Sequence, residues 1–154
     1  MRTLILDDEE PAVHMLSKVC RDEGHIVAPF THSAKALLYL AREEVDLLIT
    51  DLHMPGPDGV TVVLEARRLQ PGIFTLIVTG HTNRYPIEAL LADGTADVII
   101  KPFRMDELRT RLALAERRRG LIARLQGQTR ALYTVSNERI RALQQELEKQ
   151  HESA

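Results

Sequence analysis

Short apolar runs alternate along the chain with longer segments of helical periodicity. Runs such as Leu47-Leu48-Ile49 contain no polar residue, which is typical of strands buried on both faces of a sheet. The intervening segments repeat apolar residues every three or four positions, as one helix face does. The predicted strands are Thr3–Leu6, Ile26–Ala28, Leu47–Thr50, Phe74–Thr79 and Val98–Ile100. The predicted helices are Ala12–Glu23, Ala34–Glu43, Val60–Leu69, Ile87–Ala92 and Met105–Arg119.

The order of these elements predicts the architecture of the domain. Each strand-like run is followed by a helix, and this alternation is typical of a parallel sheet covered by helices on both faces. Breaks rich in glycine and proline separate the elements, as at Pro71-Gly72 and across residues 55–59. With five strands, we expect a doubly wound α/β fold with the strand order 2-1-3-4-5.

A different pattern follows Arg119. Residues 121–150 contain no proline and no strand-like run, and their apolar residues recur mostly at spacings of three and four. This periodicity predicts an amphipathic helix with a coiled-coil-like stripe, whose register slips once between Val135 and Ile140. We therefore predict a domain over residues 1–119 and a dimerising, signal-transmitting helix over residues 120–154. The apolar stripe consists of Leu121, Leu125, Leu132, Val135, Ile140, Leu143 and Leu147.

Composition and charge narrow the classes of protein that remain. The 154 residues carry 20 basic and 22 acidic side chains, a net charge of −2, whereas nucleic-acid-binding modules are normally basic. The single cysteine excludes an intramolecular disulfide and indicates a reducing compartment. No stretch approaches the ~20 apolar residues that a membrane-spanning helix needs. We expect a cytoplasmic protein that binds neither nucleic acid nor membrane, with Arg117-Arg118-Arg119 as a solvated helix segment.

Polar residues that could carry out chemistry lie at the carboxyl ends of four of the predicted strands. In a doubly wound sheet, ligands bind outside the carboxyl ends of the strands, and the expected order brings these ends together. Three clustered carboxylates repel one another unless a cation lies between them, and Mg²⁺ is the natural cation for carboxylate oxygens. The ammonium group of Lys101 and the hydroxyl group of Thr79 can both donate hydrogen bonds to an anion, and a phosphoryl group fits as that anion. These residues are Asp7, Asp8, Asp51, Thr79 and Lys101.

Simpler explanations exist for each of these residues taken alone. The acidic run after the first strand is also typical of a helix N-terminus, where Asp8 or Glu9 would act as the cap. An aspartate before a turn-rich segment, such as Asp51, is commonly a turn former. The joint pattern favours chemistry, because every member lies at the carboxyl end of a strand.

Four motifs, in order and at matching separations, resemble the receiver domain of two-component response regulators. The resemblance covers residues 1–119. It implies that Asp51 is a nucleophile that takes a phosphoryl group from a sensor histidine kinase or a phosphotransfer protein, with Lys101 and Thr79 contacting the phosphoryl oxygens. Such a receiver is not a conventional enzyme, but it catalyses its own Mg²⁺-dependent phosphorylation and dephosphorylation. The motifs are Leu4–Pro11, Leu48–Gly59, Val78–His81 and Lys101–Phe103.

The same resemblance implies a metal site. Asp8, Asp51 and the backbone carbonyl of His53 would hold Mg²⁺, with Asp7 acting through a coordinated water. A cis peptide bond before Pro102 is expected as well. One position departs from the family pattern, because the aromatic switch residue three positions before the lysine is replaced by Val98.

Two histidines flank the expected site in sequence, His53 after Asp51 and His81 after Thr79. Our functional hypothesis is that this pair tunes the lifetime of the acyl phosphate, and the alternative is that both are solvated loop residues.

Three functions were considered for the whole chain. The first is a receiver that transmits the state of Asp51 through a homodimeric C-terminal helix. The second is a single-domain adaptor or phosphorelay shuttle without an output of its own. The third, an aspartyl-phosphate hydrolase of the haloacid dehalogenase type, is disfavoured because such enzymes need a second aspartate where this chain has His53.

Overall fold

The five predicted strands form one parallel sheet in the order β2-β1-β3-β4-β5, which confirms the doubly wound, flavodoxin-like prediction. The structure is a computed structural model, and it describes residues 1–152 and the side chains of residues 1–149. Residues 153 and 154 of the predicted extension lie outside the described residues. The strands are β1 (Arg2–Leu6), β2 (Ile26–Phe30), β3 (Leu47–Thr50), β4 (Phe74–Thr79) and β5 (Ala96–Ile100).

Helices follow the strands as the periodicity predicts, and a short 3-10 helix (Thr82–Arg84) follows β4. The last helix extends well beyond the predicted segment Met105–Arg119, because it continues without a break through Gly127 and residues 134–137. The helices are α1 (Glu10–Asp22), α2 (Ser33–Leu40), α3 (Gly59–Leu69), α4 (Ile87–Leu91) and α5 (Met105–Glu152).

The sheet is buried on both faces. Leu48 packs with α2, α3 and α4 on one face, whereas its neighbours Leu47 and Ile49 pack with α1 and the first turns of α5 on the other. All three of these β3 side chains are fully buried, which explains why the central strands read as continuous apolar runs. Cys20 lies in the second layer, where burial raises the pKa of its thiol to about 12, so the thiol is unreactive.

Local sequence signals set the ends of the helices. The Asp58 side chain caps α3 by accepting a hydrogen bond from the backbone N–H of Thr61 at 2.9 Å. Proline in the first turn of α1 removes an N–H that no helical carbonyl would accept. Pro29 lies inside β2, which is an edge strand, so its missing N–H interrupts no central pairing.

The chain divides into two compact units. The first is Met1–Glu116, which contains the sheet, and the second begins at Arg117. In the second unit the apolar stripe is exposed, with Leu132 at 72% exposure and Leu147 at 57%. Over the part of the chain that the structure describes, no helix is both long enough and apolar enough to cross a membrane.

Candidate functional site

The predicted polar residues lie at the carboxyl ends of the three central strands and of β5. Strand β3 lies between β1 and β4, and β5 lies beside β4, so the residues that follow these strands share one edge of the sheet. Asp7 follows β1, Asp51 follows β3, and Lys101 follows β5, whereas Thr79 is the last residue of β4.

Asp51 occupies the centre of this edge and is only 7% exposed. Its backbone N–H donates to the carbonyl of Leu6 at 3.2 Å, which fixes it beside β1. Its Oδ1 accepts the backbone N–H of His53 at 3.1 Å, as a turn-forming aspartate does. Its Oδ2 accepts from the Lys101 ammonium at 3.1 Å, a contact that a simple turn former does not need.

The structure separates the two aspartates that follow β1. Asp7 is buried, and its Oδ2 accepts from the Lys101 ammonium at 2.8 Å while its Oδ1 accepts from the Glu9 backbone N–H at 3.0 Å. Asp8 is exposed. Glu9 occupies the N-cap position of α1 but forms no side-chain cap, whereas Glu10 lies in the first turn, where the helix dipole favours an acidic residue. The helix N-terminus therefore accounts for Glu10 but not for the buried Asp7.

Lys101 joins the two buried carboxylates. Burial acts to lower the pKa of its ammonium, but the hydrogen bond and charge of Asp7 and the charge of Asp51 outweigh it, so the pKa is raised and the group stays protonated. The peptide bond between Lys101 and Pro102 is cis, as expected. Among the described residues, this hydrogen-bonded cluster is formed by Asp7, Asp51 and Lys101 and does not include Asp8 or Thr79.

Thr79 is fully buried at the end of β4, and its Oγ1 accepts the backbone N–H of His81 at 3.2 Å. A Cβ atom at Gly80 would lie 3.8 Å from the Lys101 side chain, which is an ordinary van der Waals contact. Gly59 is the glycine that the site requires, because a Cβ atom there would overlap the backbone carbonyl of Asp51. This role of Gly59 has no signal in the sequence, since a glycine at a helix start does not indicate which atoms it packs against.

The oxygen atoms at this edge fit a hard divalent cation. In the described part of the chain, no group of three or more acidic, histidine or cysteine side chains is arranged to hold a metal ion. Mg²⁺ does not need such a group, because it commonly binds one or two carboxylates and retains several waters. Asp7 and Asp51 supply two such carboxylates, already close enough to share one ammonium group.

An aromatic cluster lies at the margin of the site. The rings of His53 and His81 touch, with their centroids 4.6 Å apart and their planes at 37°. The Nδ1 of His53 is hydrogen-bonded to the hydroxyl of Tyr85 at 3.0 Å. Both histidines are exposed, as the solvated-loop alternative expects, but they contact each other rather than standing alone. The sequence pattern gave no reason to single out Tyr85.

Known proteins are similar to this chain in both sequence and fold. The family model described as the response regulator receiver domain matches residues 3–113. A response regulator receiver protein of Anaeromyxobacter sp. (strain Fw109-5) is 34% identical over 101 residues, which are 66% of this chain and 42% of the relative. The two-component response regulator PhoP of Pseudomonas aeruginosa is 32% identical over 123 residues, covering 79% of this chain and 55% of PhoP. The chain thus spans about half the length of these curated relatives.

Solved structures give the same result. A response regulator receiver domain protein from Clostridium thermocellum aligns with a TM-score of 0.68 at 25% identity, over 79% of this chain and 98% of that one. The response regulator protein TrrA from Thermotoga maritima, in complex with Mg²⁺ and BeF, aligns with a TM-score of 0.64 at 26% identity, over 74% of this chain and 97% of TrrA. The strand order, the sequence match and these structural neighbours agree, and the chain belongs to the response regulator receiver domain family.

Proposed function

We propose that this receiver accepts a phosphoryl group on Asp51 from the phosphohistidine of a sensor histidine kinase or a phosphotransfer protein in the cytoplasm. The observation that supports this most directly is the contact of Lys101 with two buried carboxylates at the edge where parallel sheets bind ligands. Taking these charges out of water costs desolvation energy that a hydrophobic cluster of the same size would not, so stability alone is a weak reason for this cluster and a binding function is a better one.

Each neighbouring group has a role in the transfer. An Oδ atom of Asp51 attacks the phosphorus atom of the donor, and the bond from phosphorus to the donor nitrogen breaks, with its electron pair leaving on the histidine. Lys101 follows the new negative charge and pairs with a phosphoryl oxygen. Thr79 donates its hydroxyl hydrogen to another phosphoryl oxygen. That hydrogen is available because the Thr79 hydroxyl only accepts in its present hydrogen bond with the His81 backbone N–H.

We propose Mg²⁺ as the cofactor. It would be held by Asp7, Asp8, Asp51 and the backbone carbonyl of His53, with the Asp7 contribution passing through a water. When bound, the ion offsets the repulsion between the anionic nucleophile and the anionic donor. The complex of TrrA with Mg²⁺ and BeF supports this assignment by analogy with a relative of the same fold.

The output of the receiver is proposed to pass through the helical extension over residues 120–154, with a second copy of this chain as the partner. Exposed leucines at coiled-coil spacing leave a face that only another helix buries well, and Leu125 is 53% exposed. A homodimer would let the state of Asp51 in each copy act on a shared helix pair.

Oligomeric state tests this output. Sedimentation of Leu132→Asp, which places a charge on the stripe, is expected to show monomers where the original chain dimerises. Leu38→Asp changes another exposed leucine, on α2, and serves as the matched control, with dimerisation retained. If the original chain is monomeric over the accessible concentration range, the adaptor or phosphorelay shuttle becomes the better assignment.

We further propose that the pair of His53 and His81 sets the lifetime of the acyl phosphate. The contact between their rings joins the loops that follow β3 and β4, the two loops beside Asp51, and this supports a role in limiting how water approaches Asp51. Replacing each histidine by alanine and timing dephosphorylation tests the role, and unchanged lifetimes would contradict it.

Intact mass tests the central step. The chain is incubated with Mg²⁺ and acetyl phosphate, and one added phosphoryl group is expected. Asp51→Asn should remove the adduct. Asp58→Asn keeps Asp51 and changes the aspartate that caps α3, so the adduct should persist. An original chain without an adduct, or an undiminished adduct on Asp51→Asn, would overturn the proposed function.

A further inference from the structure

Tyr85 links the segment before α4 to the margin of the Asp51 site. It lies between the 3-10 helix and α4, 32 positions after His53 in sequence, and its hydroxyl is 3.0 Å from the Nδ1 of His53. The catalytic motifs do not include Tyr85, and no role in the proposed transfer requires it.

The tyrosine is itself held firmly. Its ring is half-buried and packs against the core layer formed by α2, α3 and α4, beside Ile87 and Val98. Its backbone carbonyl accepts the N–H of Ile87 at 2.8 Å. A hydroxyl on a packed ring is a fixed hydrogen-bond partner, whereas the exposed imidazole of His53 would otherwise be free to change rotamer.

His53, whose imidazole bonds to Tyr85, is connected to Asp51 and to Thr79 by two different routes. The backbone N–H of His53 donates to Asp51 Oδ1 at 3.1 Å, and the His53 ring touches the His81 ring. The backbone N–H of His81 in turn donates to Thr79 Oγ1 at 3.2 Å. A series of direct contacts therefore runs from the Tyr85 hydroxyl through the His53 and His81 rings, and both histidines are bonded through their backbones to residues of the site.

We propose that Tyr85 is a positioning residue, which holds the His53 imidazole against His81 and thereby slows hydrolysis of the phosphoryl group on Asp51. In that hydrolysis a water oxygen bonds to phosphorus and the bond from phosphorus to the Asp51 carboxylate oxygen breaks. The carboxylate leaves with the electron pair, and the water proton passes to the phosphate or to solvent. Because the water must approach opposite the leaving carboxylate, an ordered ring pair at the margin restricts that approach.

Tyr85→Phe tests this role, since it removes the hydroxyl and keeps the packed ring. Phosphorylated protein is freed of donor and the phosphoryl group is followed by intact mass over time. We expect decay to be roughly three to ten times faster, the range that corresponds to one hydrogen bond. Tyr39→Phe is the matched control, because Tyr39 lies on α2 against Phe30, and its decay should equal that of the original chain.

A double-mutant cycle separates positioning from a general structural effect. In the His53→Ala background, Tyr85→Phe should cause no further change in decay, and the melting temperature of Tyr85→Phe should stay close to the original value. Unchanged or slower decay in the single variant, or an equal acceleration in both backgrounds, would overturn the role of Tyr85. Since the role rests on the proposed phosphorylation of Asp51, an original chain that takes up no phosphoryl group would instead contradict that function.

Discussion

Replacing Lys101 by methionine is expected to destabilise the domain strongly. The ammonium group is the shared partner of Asp7 and Asp51, at 2.8 Å and 3.1 Å. The side chains of Asp7 and Asp51 are 1% and 9% exposed, and that of Lys101 is 26% exposed, so solvent screens the three charges only in part. Methionine keeps the length of the stem and removes the charge.

The size of the effect follows from the two carboxylates left without a cation. At an effective dielectric constant of about 20, two unit charges roughly 5 Å apart repel by about 3 kcal/mol. Proton uptake and entering water relieve part of this repulsion, while the lost hydrogen bonds add to it. We therefore expect the free energy of unfolding to fall by about 2–4 kcal/mol, somewhat below the roughly 3–5 kcal/mol typical of a fully buried ion pair, because Lys101 is partly exposed.

Urea denaturation at fixed protein concentration and without divalent ions measures this loss. Lys18→Met is the matched control, because it breaks an exposed ion pair between Lys18 and Asp22 within α1 and should change stability very little. Added Mg²⁺ should restore more stability to Lys101→Met than to the original chain, since it supplies the missing positive charge. A loss no larger than that of Lys18→Met would refute the electrostatic account of the site.

Three further changes test other parts of the structure. Burial lowers the pKa of His25 below 6.5, helped by the Met1 amino group and opposed by Glu116 and Glu23. Below pH 6.5 the unfolded chain therefore binds a proton at this histidine more readily than the folded chain does, and the free energy of unfolding falls as the pH is lowered from about 7 to about 5. His25→Gln should reduce this fall, as measured by urea denaturation. Gly59→Ala should lower the free energy of unfolding by about 1–3 kcal/mol and impair phosphoryl uptake, because the new methyl group displaces the Asp51 backbone. Asp58→Ala should cost about 1 kcal/mol in the same urea assay by removing the cap of α3, and leave the uptake intact.

The sequence pattern predicted the layered fold because buried parallel strands leave a strong signal. The residues of β3 and β4 were predicted over their full observed ranges, since β3 has no polar residue before its last position and β4 has only the β-branched Thr75. The predicted second strand ended at Ala28, whereas β2 continues through Pro29 to Phe30. A proline ends a central strand but not an edge strand, and edge position is a property of the whole sheet.

Helix α5 contains both the last predicted helix of the domain, Met105–Arg119, and the amphipathic helix predicted to follow it. Glycine and a run of β-branched and polar residues weaken a helix locally, and such residues occur in α5 at positions 127 and 134–137. Long helices tolerate such positions when the surrounding residues are strong helix formers, and α5 is rich in leucine, arginine, glutamine and glutamate.

The strand-end rule located the candidate site, but it did not assign each contact. Asp7 and Asp8 are equivalent in sequence, and only the path of the chain after β1 buries the first and exposes the second. Tyr85 and Gly59 were missed for a related reason. Their importance comes from what packs against them, His53 in one case and the Asp51 carbonyl in the other, and such pairings depend on tertiary structure.

The chemical identity of the phosphorylated residue is the most direct test of the central claim. After incubation with Mg²⁺ and acetyl phosphate, borohydride converts a phosphorylated aspartate into homoserine, and peptide mass mapping identifies the modified position. Our account predicts modification at Asp51, and none in Asp51→Asn. Modification confined to Asp7, Asp8 or another carboxylate, or the absence of any modified peptide in the original chain, would contradict it.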